Sequence, residues 1–260
     1  MSIKKLQQQA LKKMKSFYAQ VPLDHPEDLT GYIWQIINSA NELVKIDDQT
    51  ASEYAENWSD DLVGELQRTL VNYQLHNLKS GNPAPVFKMI ETALQNIEEK
   101  GLSLLDIGCT SGYYYEVINH YHLGKFDYTG CDYNESSVNL AKQYYPNVNF
   151  SVEDITKLSY EDKQFDVSFL SGVIEHVPNH IDGLNELCRI TDKYIVLHRI
   201  FLTEEETLCT KGTQYFVPVI RYTHNKDEFF KILSDNGFSI KWENEGFFDT
   251  NCKTYILERK

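Results

Sequence analysis

The first 80 residues place apolar side chains mainly at helical spacings. Residues 31–46 and 58–78 repeat them every three or four positions, which predicts helices with one buried face. Ser59 precedes an acidic first turn and is the predicted N-cap of the second helix. We therefore predict a helical cap over residues 1–81.

A different pattern begins after residues 80–85, SGNPAP, which interrupt the helical spacing. Residues 86–101 predict one more helix, ended by Gly101. From there, short apolar strands alternate with helical segments, which predicts a parallel sheet covered by helices on both faces. The predicted strands are 102–108, 126–132, 148–154, 165–172, 193–200, 238–246 and 252–260.

The last two predicted strands have no helix between them, which favours an antiparallel hairpin at the end of the sheet. The predicted fold class is therefore α/β, with a doubly wound, seven-stranded, mostly parallel sheet and an antiparallel last strand. This unit is predicted to span residues 82–260, with the helical segment appended at its N-terminus.

Composition and charge limit the function classes. The 260 residues are 42% hydrophobic and 13% aromatic, as expected for a globular protein. A formal charge of −13 argues against general attraction to nucleic acid, which requires a basic face. No signal peptide and no run of 18 apolar residues is visible, so a cytoplasmic protein without a membrane partner is expected.

The five cysteines are scattered and include no Cys-x-x-Cys pair. They are expected to be reduced and mostly buried, and their spacing predicts no metal site.

Residues 102–117, LSLLDIGCTSGYYYEV, form a strand, a small-residue turn and the start of a helix. The turn after the first strand of such a sheet is a usual ligand site. The dinucleotide pattern G-x-G-x-x-G does not fit, because Thr110 stands between Gly108 and Gly112. A P-loop does not fit either, since no Gly-Lys-Ser/Thr follows.

The segment LLDIGCTSG resembles the first motif of class I S-adenosylmethionine (SAM)-dependent methyltransferases, and the resemblance extends from about residue 85 to the end. It implies a Rossmann-like fold with SAM as the cofactor. Gly108, Cys109 and Gly112 would lie against the methionine part, where the glycines let the backbone approach closely. Asp106 would accept hydrogen bonds from the turn or from the cofactor's ammonium group. Thr110 departs from the family, where a glycine is most common.

Later segments carry the same resemblance. Asp132 matches the acid that receives the ribose hydroxyls, and Tyr133 could lie on the adenine. In SVEDITKL, Asp154 matches the acceptor for the adenine amino group, with Ile155 as an apolar wall. In FDVSFLSGVIEHV, Ser171 would border the sulfonium.

Structural alternatives remain open for these residues. Asp106, Asp132 and Asp154 could cap turns or helices, and Tyr113 to Tyr115 could pack along a helix face. His176 matches a histidine common in this family and is the candidate catalytic base, or else a residue that packs the loop.

Residues 198–226 are long for a connector and are predicted to form a functional lid. Candidate substrate-binding residues in it are His198, Arg199, Arg221 and His224. The alternative is a solvated loop with scattered charges.

The resemblance favours a methyltransferase that acts on a small polar acceptor, with O-methylation and an anionic acceptor favoured. The expected acceptors are sugars and nucleotide-linked or phosphorylated precursors of surface glycans and capsule polysaccharide. The protein is also expected to form a homodimer. Nucleic-acid and glutamine amino methyltransferases usually have Asn/Asp-Pro-Pro-Tyr after the fourth strand. This sequence has SGVI there, which argues against that branch. The alternatives are a protein or RNA methyltransferase, or a cofactor-binding partner protein without catalysis.

Overall fold

The computed structural model describes residues 2–18, 44–122, 124–244 and 252–260. The strands of these ranges are β1 (Val44–Lys45), β2 (Leu102–Ile107), β3 (Phe126–Asp132), β4 (Asn149–Val152), β5 (Phe165–Ser171), β6 (Thr191–Thr203), β7 (Leu208–Gln214), β8 (Val217–Asn225), β9 (Phe238–Glu243) and β10 (Cys252–Arg259). The α-helices are α1 (Ile3–Tyr18), α2 (Asp48–Ala55), α3 (Asp61–Lys79), α4 (Pro85–Leu94), α5 (Tyr113–His122), α6 (Glu135–Tyr144), α7 (His180–Ile190) and α8 (Lys226–Asp235). None of these helices is both long and apolar enough to cross a bilayer.

The central sheet has the order β4-β3-β2-β5-β6-β10-β9. Strands β4, β3, β2, β5 and β6 pair in parallel, whereas β10 runs antiparallel between β6 and β9. This confirms the predicted seven-stranded, mostly parallel sheet with an antiparallel last strand. Helices α5, α6 and α7 connect successive parallel strands, as crossover connections require.

Both faces of the sheet are buried. Leu104 and Leu105 are adjacent in β2 and wholly buried, yet they belong to separate hydrophobic clusters, because neighbouring strand residues point to opposite faces. One cluster packs against α3 to α6 and the other against α7 and α8. Burial of both faces explains why the strands read as nearly continuous apolar runs.

Two helix ends differ from their predictions. The N-cap of α3 is Asp60, whose side chain accepts from the Leu62 amide, and not Ser59. The helix predicted to reach Gly101 ends at Leu94. There the Asn96 side chain donates to the backbone oxygens of the last turn, an interaction that competes with helix continuation.

The predicted lid at residues 198–226 is not a loop. Strand β6 continues to Thr203, and β7 and β8 pair as an antiparallel hairpin whose turn contains Tyr215 and Phe216. Buried and partly exposed residues alternate along β8, so one face of the hairpin is packed. The scattered charges and Pro218 hid this two-residue period in the sequence.

The N-terminal helices pack against this hairpin and the domain core. Ala10 and Leu11 of α1 share a cluster with residues of α3 and β8. Leu75 and Leu78 of α3 belong to the same core as α4 and α5. The predicted helix at residues 31–46 lies outside the described residues except at its end, where Val44 pairs with Lys211 of β7. The boundary between residues 81 and 82 stays a prediction.

Candidate active site

The turn after β2 has a backbone that requires small residues. Gly108 and Gly112 have φ values of +74° and +71°. A Cβ on Gly108 would lie 2.3 Å from a methyl carbon of Val173, and one on Gly112 would lie 2.7 Å from the Phe150 ring. Thr110 also adopts a left-handed conformation, with φ of +48°, so it follows a path that ordinarily favours glycine. The thiol of Cys109, between Gly108 and Thr110, is buried, and this burial raises the pKa of the thiol.

Asp132 at the end of β3 joins this turn to the next one. Its Oδ2 accepts from the Thr110 amide at 2.8 Å, and its Oδ1 accepts from the Asn134 amide at 2.9 Å. Burial raises the pKa of Asp132, while these amide bonds oppose that rise. An ionised carboxylate can accept further hydrogen bonds, so ligand hydroxyls can be received in addition to the two amides.

Asp106 is turned into the domain interior. It is 1% exposed and accepts a hydrogen bond from the Tyr128 hydroxyl. Burial raises the pKa of Asp106 to about 8, with a further contribution from the charge of Asp132. Its nearest described partner is therefore a buried phenol, and contact with a cofactor ammonium group stays a prediction.

We expect Asp106→Asn to stabilise the protein more at about pH 8 than at about pH 5. The folded pKa of about 8 exceeds the unfolded value of about 3.9. The folded state therefore retains a proton that the unfolded state releases, and the stability that this proton contributes is lost as the pH rises toward 8. The loss is at most about 1.4 kcal/mol per pH unit. Urea unfolding at both pH values measures it, with Asp127→Asn on the exposed side of β3 as the control. An equal gain at both pH values would contradict the titration.

The predicted adenine-binding residues lie at the ends of β3 and β4. Tyr133 is 42% exposed, and its hydroxyl shares a hydrogen bond with that of Ser59. Asp154 is exposed, and its Oδ1 accepts from the amide and hydroxyl of Thr156, both at 2.8 Å. Ile155 is buried. One oxygen of Asp154 thus caps a turn, and its role toward adenine stays a prediction.

At the end of β5, Ser171 is hydrogen-bonded to two neighbouring side chains. Its hydroxyl shares a hydrogen bond of 2.9 Å with that of Tyr114 and accepts from Arg199 Nε at 3.3 Å. Tyr113 and Tyr114 are buried with ring centroids 4.5 Å apart, so packing accounts for much of their contact surface.

His176 lies in a short 3₁₀ helix, Ile174–His176, after β5. Its Nδ1 donates to the Ile220 carbonyl at 2.5 Å, and its ring lies 4.7 Å from that of Trp58. Because a carbonyl only accepts, the neutral ring carries its proton on Nδ1 and leaves the Nε2 lone pair free to take a proton. Burial lowers the pKa of His176. The charge of Glu175 and the Ile220 hydrogen bond oppose this, and the charges of Arg221 and Arg199 add to the lowering.

The structure separates the four predicted substrate-binding residues. His198 and His224 lie in the protein interior, 0% and 2% exposed. His198 Nδ1 is 2.8 Å from the Thr254 hydroxyl, and burial lowers the pKa of His224 to about 3. Arg199 and Arg221 are partly exposed, and both charges act on His176. The two arginines thus remain better placed than the histidines to contact an acceptor.

Two further residues of this region were not identified from the sequence. Glu175 is 4% exposed. Trp58 contacts His176 across 118 positions of sequence, which a local pattern cannot show. The only available signal for Glu175 was an acid within the apolar segment GVIEHV.

Comparison with known proteins identifies the domain. A family model described as a methyltransferase domain matches residues 105–194. The chain is 34% identical over 89 residues to a ubiquinone biosynthesis O-methyltransferase of Coxiella burnetii, covering 33% of this chain and 37% of that protein. It is 27% identical over 144 residues to a tRNA U34 carboxymethyltransferase of Nautilia profundicola, covering 50% and 46%. The chain thus spans less than half the length of either relative.

Solved structures share the fold. The magnesium protoporphyrin IX methyltransferase of Synechocystis PCC 6803, crystallised with bound SAM, has a TM-score of 0.53 at 18% identity, covering 83% of this chain and 98% of that one. A SAM-dependent methyltransferase of Methanosarcina mazei has a TM-score of 0.52 at 18% identity, covering 64% and 96%. The chain therefore has the Rossmann-like fold of SAM-dependent methyltransferases, and its residues 105–194 match the methyltransferase-domain family.

Proposed function

We propose that this protein binds SAM and transfers its methyl group to a hydroxyl of a small polar, anionic acceptor. The observation that carries O-methylation is the neutral tautomer of His176, fixed by the Ile220 carbonyl, which leaves Nε2 able to take a proton. The relatives include proteins named for O-methylation and for action on tRNA, and the net charge of −13 favours the small acceptor over RNA.

The residues present fit the cofactor. The turn from Gly108 to Gly112 has no Cβ at the two positions where one would meet neighbouring atoms, and Asp132 holds its middle residue in place. Asp132 would receive the ribose hydroxyls, and Tyr133, which is 42% exposed, would lie on the adenine. Ser171 would border the sulfonium. SAM supplies a methyl group that is already activated for transfer.

The protein's own part of the reaction is alignment and proton removal. Arg199 and Arg221 would bind the anionic part of the acceptor and bring its hydroxyl in line with the methyl carbon. SAM, held by the turn from Gly108 to Gly112 and by Asp132, would supply the methyl group and would keep the electron pair of the broken bond on its sulfur. His176 Nε2 receives the hydroxyl proton. The products are a methyl ether, S-adenosylhomocysteine and a proton held on His176.

The acceptors that we propose are phosphorylated or nucleotide-linked sugars of the kind used to build surface polysaccharides. They combine hydroxyl nucleophiles with negative charge, which matches a neutral base beside two arginines. Turnover with a panel of such compounds, compared with RNA and protein extracts as acceptors, separates this proposal from the alternatives.

We expect S-adenosylhomocysteine to bind with an affinity on the micromolar scale and NAD to bind much more weakly. Thr110 stands where a dinucleotide site has its middle glycine, so a side chain occupies the turn where the backbone would have to approach a pyrophosphate. Calorimetric titration of the full chain with both compounds measures the difference. Tighter binding of NAD would refute the proposed function.

A further inference from the structure

A cationic and an anionic side chain both lie close to Gly172, directly after β5. A Cβ built on Gly172 would lie 2.7 Å from Arg199 Nη2 and 3.4 Å from Glu175 Oε1. Gly172 has a φ of +66°, so its backbone also disfavours a side chain. Because Gly172 has no Cβ, no side-chain atom of this residue occupies the position that both charged groups approach.

Glu175 has hydrogen-bonding capacity that the protein does not use. Its side chain is 4% exposed, and its Oε2 is buried with no hydrogen-bond partner. A buried carboxylate oxygen without a hydrogen bond is costly, and such groups in folded proteins usually have a partner. A ligand that brings a positively charged donor would remove this cost.

Arg199 is the complementary group. Its hydrogen bonds go to the neutral oxygens of Ser171, at 3.3 and 3.5 Å. None of the ion pairs in the described part of the chain includes it, although the charge of Glu175 acts on it. Its own backbone has a φ of +61°, a sparsely populated conformation for a side-chain-bearing residue. Its guanidinium therefore keeps donors free for a ligand anion.

We propose that Glu175 and Arg199 bind a zwitterionic part of the acceptor, with an ammonium group on Glu175 and an anionic group on Arg199. Both side chains lie within 3.4 Å of one point, so a ligand that bridges them carries its two charges close together, as vicinal groups do. This inference rests on the proposed function, because the charges of both side chains act on His176 and so belong to the acceptor region. It narrows the acceptor to compounds with vicinal ammonium and anionic groups, as in amino acids and 2-amino sugar 1-phosphates.

Three matched probes test the pair of charges: L-alanine, propionate without the ammonium group, and isopropylamine without the carboxylate. NMR titration of the full chain saturated with S-adenosylhomocysteine measures their affinities. We expect L-alanine to bind about tenfold or more tighter than either of the others, since each lacks one charged partner. Glucosamine 1-phosphate, compared with glucose 1-phosphate, distinguishes an amino sugar from an amino acid.

Two variants locate the probe. Glu175→Gln should abolish the preference for L-alanine over propionate. Arg199→Gln should abolish the preference for L-alanine over isopropylamine. Glu205→Gln and Lys88→Gln make the same charge changes at exposed positions and should leave both preferences intact. Thermal unfolding checks that each variant folds.

Equal binding of the three probes, or no binding of either zwitterion at tens of millimolar, would overturn the proposal. An unchanged preference in Glu175→Gln would do the same. Displacement of L-alanine by S-adenosylhomocysteine would place the charges in the cofactor site and also refute it. Failure of S-adenosylhomocysteine itself to bind would instead refute the proposed function, and the probes can then be titrated without it.

Discussion

Replacing Asp132 by alanine is expected to weaken S-adenosylhomocysteine binding by about 1.5 to 3 kcal/mol, the range for loss of a charged hydrogen-bond partner. Asp132 would receive the ribose hydroxyls, and it also holds the Thr110 amide at 2.8 Å and the Asn134 amide at 2.9 Å. The substitution removes the ligand contact and both supports of the two turns. Calorimetric titration measures the loss.

Three further variants or measurements separate the loss of a ligand contact from a general loss of folding. Asp127→Ala makes the same change on an exposed residue of β3 and should leave the affinity unchanged. Asp132→Asn keeps one oxygen acceptor with almost the same shape, so its affinity should fall between those of wild type and alanine. Thermal unfolding identifies any variant that is merely unfolded. An Asp132→Ala protein with wild-type affinity would remove this residue from the ribose site.

The glycine turn and the acid that ends β3 could be predicted because their requirements are local. Gly108 and Gly112 stand where a Cβ has no room, and Asp132 reaches the turn from the neighbouring parallel strand. Strand alternation, both buried faces and the antiparallel end of the sheet also follow from patterns within single segments. Even Thr110, the departure from the family motif, keeps the left-handed backbone of that turn.

Contacts between distant segments could not be predicted in this way. His198 and His224 were assigned to a substrate-binding loop, but each is an interior residue of a strand. The alternation along β8 was present in the sequence, but polar residues at half-buried positions concealed it. The proposed role of Glu175, in a 3₁₀ helix, depends on Arg199 in β6, so neither residue alone indicated the pair.

The segment at Trp58 and Ser59 shows how such distant contacts organise the site. The Trp58 carbonyl accepts from Asn134 Nδ2 at 2.6 Å, and Ser59 is hydrogen-bonded to Tyr133. The Trp58 ring meanwhile packs against His176. One short segment therefore contacts both the expected adenosine edge and the candidate base. The helical cap predicted over residues 1–81 thus reaches the candidate site through this segment, as a cover that excludes water would.

His176→Ala is expected to lower kcat by about 10² to 10⁴, the usual effect of losing a general base, while S-adenosylhomocysteine affinity is retained. The ring is held by the Ile220 carbonyl and by Trp58, so Nε2 has a fixed position from which to take a proton. Because burial lowers the pKa of His176, the wild-type base is already neutral at physiological pH. Its kcat should rise with pH through a value below about 6.5 and then stay level, and the variant should lack this inflection.

The measurement is a pH profile of kcat and KM, made with the acceptor that the panel identifies. His120→Ala, at an exposed position on α5, is the matched control and should keep both the rate and the inflection. Trp58→Phe retains an aromatic ring against His176, so it should preserve the profile better than Trp58→Ala. If the His176→Ala rate lies within about threefold of wild type, the decrease is far smaller than the decrease that loss of a general base produces. That result would leave alignment of the acceptor as the catalytic device and make His176 a residue that packs the loop.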